Sequence, residues 1–163
     1  ADKKNAVVML LYPPGPANTM LKGDWQPLID KLNGAGYHVF RFDWRGHGES
    51  TDIVDAVGDK INPFTGFWVN RMTAGWNMRY VKGGANLARP KLTIKVKEDV
   101  PSPGYFPVYA NDLAAARMFL DTKNDGGGEV NTRAIYLVGA GDTAALGMLW
   151  MTAEWNRHGI HPE

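Results

Sequence analysis

The longest uninterrupted apolar run near the start of the chain is "AVVMLLY", from Ala6 to about Tyr12, and Pro13-Pro14-Gly15 stop it. A run that does not alternate predicts a strand buried on both faces, as in a parallel sheet. In "GDWQPLIDKLNGAGYHVFRFD" the pattern changes to a helical one. Asp24 is placed to cap, Pro27 falls in the tolerated first turn, Leu28, Ile29 and Leu32 share a face, and Gly34 and Gly36 end the element. "YHVFRFD" then reads as a second strand. Strand, helix and strand in this order make a βαβ unit, whose crossover is right-handed.

Across residues 52–107 the periodicity is lost. Gly, Pro, Trp and scattered basic residues dominate, as in "FTGFWVNRMTAGWNMRYVKGG". This segment reads as an insertion, either functional or a flap packing its tryptophans on the core. Trp68, Arg71, Trp76, Arg79 and Tyr80 are its binding candidates, because Trp, Tyr and Arg are favoured at interfaces. Within it, "KLTIKVKE" alternates Leu92, Ile94 and Val96 with lysines, which predicts a half-exposed edge strand in a small hairpin.

Regular structure resumes at "YANDLAAARMFLDTKNDGGG". Tyr109, Leu113, Ala116 and Leu120 fall on one helical face, Asn111 or Asp112 can cap, and the glycines from Gly126 end the helix. "TRAIYLVG" is a third buried strand, and Thr143 to Trp155 a third helix, apolar nearly all round. The predicted class is α/β: a mainly parallel sheet flanked by helices, in one domain with a core over 6–51 and 108–157.

Composition narrows the function classes. The chain has 163 residues, 44% of them hydrophobic, which suffices for one real core. With 18 Lys+Arg against 17 Asp+Glu, no strong field favours nucleic acid or anionic lipid, and no apolar run reaches membrane-spanning length. The absence of cysteine excludes disulfides and thiolate chemistry but fits the cytosol and an oxidising compartment equally. A chain opening on Ala1 is what signal-peptide removal or trimming leaves, so export to a periplasm or the outside is one expectation among others.

The chemistry concentrates in "IYLVGAGDTAALGMLW". Gly139-Ala140-Gly141-Asp142-Thr143-Ala144 fits G-x-G-x-x-A between a strand and a helix, where glycines let a dinucleotide pyrophosphate approach the helix N-terminus. Such a fingerprint normally opens its βαβ unit and is followed by a strand ending in an acidic residue, and Asp142 would point negative charge at the phosphates. Asp121, Asn124, Asp125 and Glu129 gather oxygen ligands, but their spacing does not match the EF-hand loop, and a polar helix end explains them. No metal and no cofactor are predicted.

Several segments match one family in order. "VVMLLYPPG", then "W-x-P-L-x-x-x-L-x-x-A-G-Y-x-V-x-x-x-D-x-R-G-H-G-x-S", then "NDLAAARMFL" and "IYLVGAGDTAALG" resemble the amino-terminal half of the α/β-hydrolase superfamily, especially its serine esterase and peptidase-like members. Asp43, Arg45, His47 and Ser50 belong to the D-x-R-G-x-G-x-S loop, for which the residue types suggest a loop-organising role. The resemblance aligns G-x-S-x-G with Gly139 to Thr143 and puts Gly141 where the nucleophilic serine stands. It also places Tyr12-Pro13, followed by Pro14, where the family has its second oxyanion donor, and proline has no N–H to give.

The family's acid and histidine follow the nucleophile by many residues, whereas this sequence runs about 20 residues past Gly141 and offers His158 and His161 there. Haloalkane dehalogenases and epoxide hydrolases use an aspartate at the elbow, which makes Asp142 a candidate nucleophile. A helix N-terminal Asp142, or Thr143 as a cap, is the alternative for those two residues.

The resemblance thus implies a partial hydrolase-like three-layer sandwich with a degenerate catalytic centre, acting in binding or as a subunit of a larger assembly. Two alternatives stay open: an ester or related small-molecule hydrolase completed by residues outside this chain, and a dinucleotide-binding protein. The resemblance also predicts that the Val7 strand lies between the Tyr37 and Ile135 strands. The apolar edge of the latter would then need cover from a protein partner, further polypeptide or self-association.

Overall fold

A three-stranded, all-parallel sheet with the first strand of the chain in its middle organises one part of the molecule. The computed structural model describes residues 6–15, 25–53, 67, 74–84, 91–100, 103–127 and 129–159, without the side chains of 125–127 and 157–159. By its contacts the chain divides into two compact units, one of Ala1–Pro13, Met20–Phe42 and Ala110–Glu163, the other of Pro14–Thr19 and Asp43–Tyr109.

In the first unit, β1 (Ala6–Leu11) is buried at every position. Its non-alternating sequence follows from its place: it pairs with β2 (His38–Phe40) on one side and β3 (Asn131–Gly139) on the other, so both edges and both faces are covered. Val8 and Leu10 pack with Ile29 of α1 (Gln26–Gly34), and Trp25, Leu32, Tyr37 and Val39 border that cluster. Pro27 stands in the first turn of α1 as predicted, while Asp24 lies outside the described residues. The helix closes with a Schellman pair, Gly36 N–H to Asn33 O and Tyr37 N–H to Leu32 O, both at 3.0 Å, which turns Tyr37 back onto the α1 side of the sheet.

Strand alternation sends Val7, Met9 and Leu11 to the opposite face. There α5 (Asp142–Gly159) lies close to the sheet: a Cβ on Gly147 would sit 3.5 Å from Leu137 Cδ1 and 3.8 Å from Leu11 Cδ1. The helix α4 (Ala110–Gly127) buries Leu113, Ala116 and Leu120, the predicted face, and stacks Phe119 on Phe40 at 5.8 Å. Leu113 and Leu120, both fully buried, contribute about 1.5–3 kcal/mol each. Asn111 and Asp112 lie inside α4 rather than capping it, because a 3-10 segment, Pro103–Tyr109, leads straight into the helix.

Two expectations of burial are corrected. The third strand alternates instead of being buried throughout: Tyr136 and Val138, in register with Val8 and Leu10, are 46% and 39% exposed, because β3 is the outermost strand among the described residues. The helix α5 is buried along one stripe only, at Thr143, Leu146, Gly147 and Trp150, leaving Met148, Leu149, Met151 and Trp155 exposed.

In the second unit the predicted strand in "KLTIKVKE" is absent. Asp52 and Thr93 form a single antiparallel bridge, and the chain then turns into a short helix α3 (Val96–Asp99). Asp99 causes the change: its carboxylate takes the Lys95 N–H at 2.9 Å, closing the first turn, and also pairs with Lys91. Another helix, α2 (Ala74–Tyr80), rises in the stretch that showed no period.

Burial pushes the Asp99 carboxyl up, but the hydrogen bonds from Lys91 and the Lys95 amide, with the charges of Lys91 and Lys82, outweigh it and hold it below its ordinary value. A carboxylate depressed in the folded state stabilises above the unfolded pKa of about 3.9, and that contribution disappears as pH falls through the lower folded value. Asp99→Asn is expected to cost about 1.5–3 kcal/mol at pH 7, with a gap to wild type that closes in acid. Urea midpoints at pH 7 and below pH 4 check this, and a gap independent of pH counts against it.

Candidate functional site

The register pairs Leu11 with Gly139, so the chain leaves β1 through Tyr12-Pro13 beside the place where it leaves β3 through Ala140-Gly141. Tyr12 is buried and Pro13 exposed. These are the positions that the resemblance aligns with an oxyanion loop and an elbow, and the register brings the two strand ends together within the first unit.

The turn after β3 is held by one side chain. The Thr143 hydroxyl accepts the Ala140 N–H at 3.0 Å and donates to the Ala140 carbonyl at 2.8 Å, and Thr143 has no exposed surface. It therefore ties the helix start back to the strand end instead of capping forward. A Cβ on Gly139 would meet Thr143 Oγ1 at 2.8 Å, so that lock requires glycine there.

Gly141 stands at φ +57°, in the left-handed region, and a Cβ there would meet nothing within 4 Å. The backbone thus has the sharp strand-to-helix form that presents a side chain outward, at a position carrying none. Asp142 follows as the first residue of α5, exposed, where the helix dipole favours a carboxylate. The Thr143 and Ala144 N–H groups are taken by the Ala140 and Gly141 carbonyls, at 3.3 and 3.0 Å. Two of the amides that a pyrophosphate would use at this helix start are already engaged.

Asp43, Arg45, His47 and Ser50 form a compact turn in the second unit. The Gly46 N–H bonds Ser50 O at 2.7 Å and the Ser50 N–H bonds His47 O at 2.8 Å, while the Asp43 carboxylate accepts the Glu49 N–H at 3.3 Å. Gly48 has φ +47°, and a Cβ on it would collide with that carboxylate. The D-x-R-G-x-G spacing is therefore a geometric requirement of this turn. The His47 ring is 2% exposed and bonded at both nitrogens, to the Gly15 N–H at 2.9 Å and the Arg45 carbonyl at 3.0 Å. Pro14 immediately precedes that Gly15 in the same unit.

The binding candidates divide. Trp76, Arg79 and Tyr80 lie on α2, with Trp76 46% exposed and stacked on Tyr80 at 5.5 Å, and the Arg79 guanidinium 5.3 Å from the Tyr80 ring centre. Trp68 and Arg71 lie outside the described residues, as does His161, and the side chain of His158 is likewise outside them.

Sequence reasoning missed Asn77. It is wholly buried, donates to Phe67 O at 2.8 Å and accepts the Tyr105 hydroxyl at 2.6 Å, which Arg45 Nη1 also approaches at 3.4 Å. No local pattern marks it, since its partner Tyr105 is 28 residues away.

Two members of the acidic cluster at the end of α4, Asp121 and Glu129, are paired, while the side chain of Asp125 lies outside the described residues. Arg117 Nε reaches both Asp121 oxygens at 3.0 Å, and Lys123 pairs with Glu129 at 3.6 Å. Burial raises the Asp121 carboxyl, and the bonds from Arg117 and Thr132 outweigh it, so the carboxyl lies below its ordinary value. Among the described residues no group of three or more His, Asp or Glu is placed to hold a metal ion, and no helix is long and apolar enough to cross a membrane. Compared with protein-family models, with curated proteins and with solved structures, the chain matches none.

Proposed function

We propose that this chain is a hydrolase-like α/β domain without an intact catalytic centre, acting in binding or as a subunit of a larger assembly. The observation that carries the reading is Gly141: a left-handed residue on an open turn at the end of a parallel strand, where an elbow nucleophile would stand, with no side chain to react. Pro13, leaving the neighbouring strand, has no N–H for an oxyanion. The order β2-β1-β3, with α1 on one face and α5 on the other, agrees with the amino-terminal half of a three-layer hydrolase sandwich. A fold of this kind carries no activity by itself.

The assembly side of the proposal rests on exposed apolar surface. Tyr136 and Val138 on β3, and Met148, Leu149, Met151 and Trp155 on α5, are large apolar side chains left open. The outer edge of β3 pairs with no strand among the described residues, and its single charge, Arg133, does little to guard it.

Turnover of short p-nitrophenyl esters tests the reading. The purified chain is expected to show none above buffer, and Asp142→Asn to change nothing. Turnover that disappears in Asp142→Asn would sink it in favour of an enzyme with Asp142 as nucleophile, completed by residues outside this chain.

A further inference from the structure

The helix α5 carries a second stripe, distinct from the buried one at Thr143, Leu146, Gly147 and Trp150. Ala144, Met148, Met151 and Trp155 follow one another at spacings of four, three and four residues, which at about 3.6 residues per turn aligns them on one face. All four are exposed, Met148, Met151 and Trp155 by 69%, 57% and 79%. Their spacing is that of a coiled-coil seam. From Thr143 to Ala153 the helix has no charged residue, so no charge of its own opposes a close apolar contact along this stretch.

The stripe is complementary to itself in one orientation. When a second α5 runs antiparallel, with a two-fold axis at the level between Leu149 and Trp150, Met148 of each copy meets Met151 of the other, and Ala144 meets Trp155. The smallest side chain then faces the largest and the flexible thioethers face each other, which closes the seam without a void. The same register sets Asp142, exposed at the start of one helix, level with Arg157 near the end of the other, so opposite charges flank the seam at both ends. Parallel pairing does the reverse. It leaves a gap at Ala144, crowds Trp155 against its own copy and brings the two Asp142 ends together.

A stripe shaped for an unrelated protein has no reason to match itself in this way. We propose that α5 is the two-fold contact of a homodimer, with α5 of a second copy seated antiparallel on the Ala144–Trp155 stripe. This names the partner for the assembly reading given above and rests on that reading. The seam runs about 16 Å along the helix at about 1.5 Å per residue, so the interface is small and the dimer is expected to dissociate on dilution.

Sedimentation equilibrium of the purified chain over a range of concentrations is expected to show a species of twice the 18.0 kDa chain mass that gives way to monomer on dilution. Met148→Glu and Met151→Lys, at exposed sites outside the core, are each expected to raise the dissociation constant at least about tenfold, because each buries an unpaired charge on both sides of the axis. Combining both changes in one chain sets the new carboxylate of each copy against the new ammonium of the other, but only in the antiparallel register, and is expected to restore a good part of the affinity. Far-UV circular dichroism checks that the variants fold. A wild-type chain that is monomeric throughout, a dimer indifferent to either single change, or a double variant no tighter than the singles overturns the proposal. A monomer without ester turnover removes the dimer and leaves the hydrolase-like reading in place, whereas turnover that disappears in Asp142→Asn, in a chain that does dimerise through α5, removes that reading alone.

Discussion

Trp44→Ala is expected to lower the unfolding free energy by about 3–5 kcal/mol, the largest single-residue loss among the described residues, read from urea unfolding followed by circular dichroism. Trp44 is 1% exposed, the largest fully buried side chain among the described residues, and meets Tyr109 edge-on at 5.9 Å. Tyr109 in turn touches Tyr105 and Phe106 at 5.5 and 6.5 Å. Alanine removes the indole and leaves a space that these rings, fixed by the 3-10 segment, fill only in part. Trp44→Phe, which keeps an aromatic contact, should recover a good part of the loss. A loss below 1 kcal/mol for alanine would mean that the unit collapses around the gap or draws little stability from this cluster.

Asn77→Leu comes second, with an expected cost of about 2–4 kcal/mol. Leucine keeps the branching of asparagine but is bulkier, so the cost combines some overpacking at this wholly buried position with lost polar satisfaction: the Phe67 carbonyl loses its donor and the Tyr105 hydroxyl its 2.6 Å acceptor. Tyr105→Phe removes the other end of the second bond. In a double-mutant cycle the pair should couple by about 0.5–3 kcal/mol, whereas additive effects would show that the two residues act separately.

The sheet was legible because its signals are local. "AVVMLL" cannot serve as a half-exposed strand, and Pro13-Pro14 cannot continue one, so a central parallel strand and its end followed from composition. The order β2-β1-β3 followed from the segment order and the family likeness. At the candidate site, the lack of a side chain at Gly141 and of an N–H at Pro13 could be read directly. The Thr143 lock on Ala140 could not, because it depends on the angle at which α5 starts.

Elsewhere the decisive partners are distant or act through the backbone. "KLTIKVKE" has strand alternation, yet Asp99, just beyond it, takes the Lys95 amide and coils the segment into α3. Asn77 sits in an aperiodic stretch, and its importance appears only when Tyr105 folds against it. The exposure of β3 and α5 reflects which neighbours are present, a property that no window of sequence contains.

The place of β1 in the sheet also bears on synthesis. It leaves the ribosome roughly 130 residues ahead of its partner in β3. At about 5–20 residues per second, that interval is on the order of ten seconds. Throughout it the most apolar strand has one edge unpaired in the nascent chain, with α5 not yet made to cover its Leu11 face. Holdase chaperones that recognise extended apolar segments would find "AVVMLL" during translation, so the yield of folded protein should depend on them far more than the stability of the finished sheet suggests.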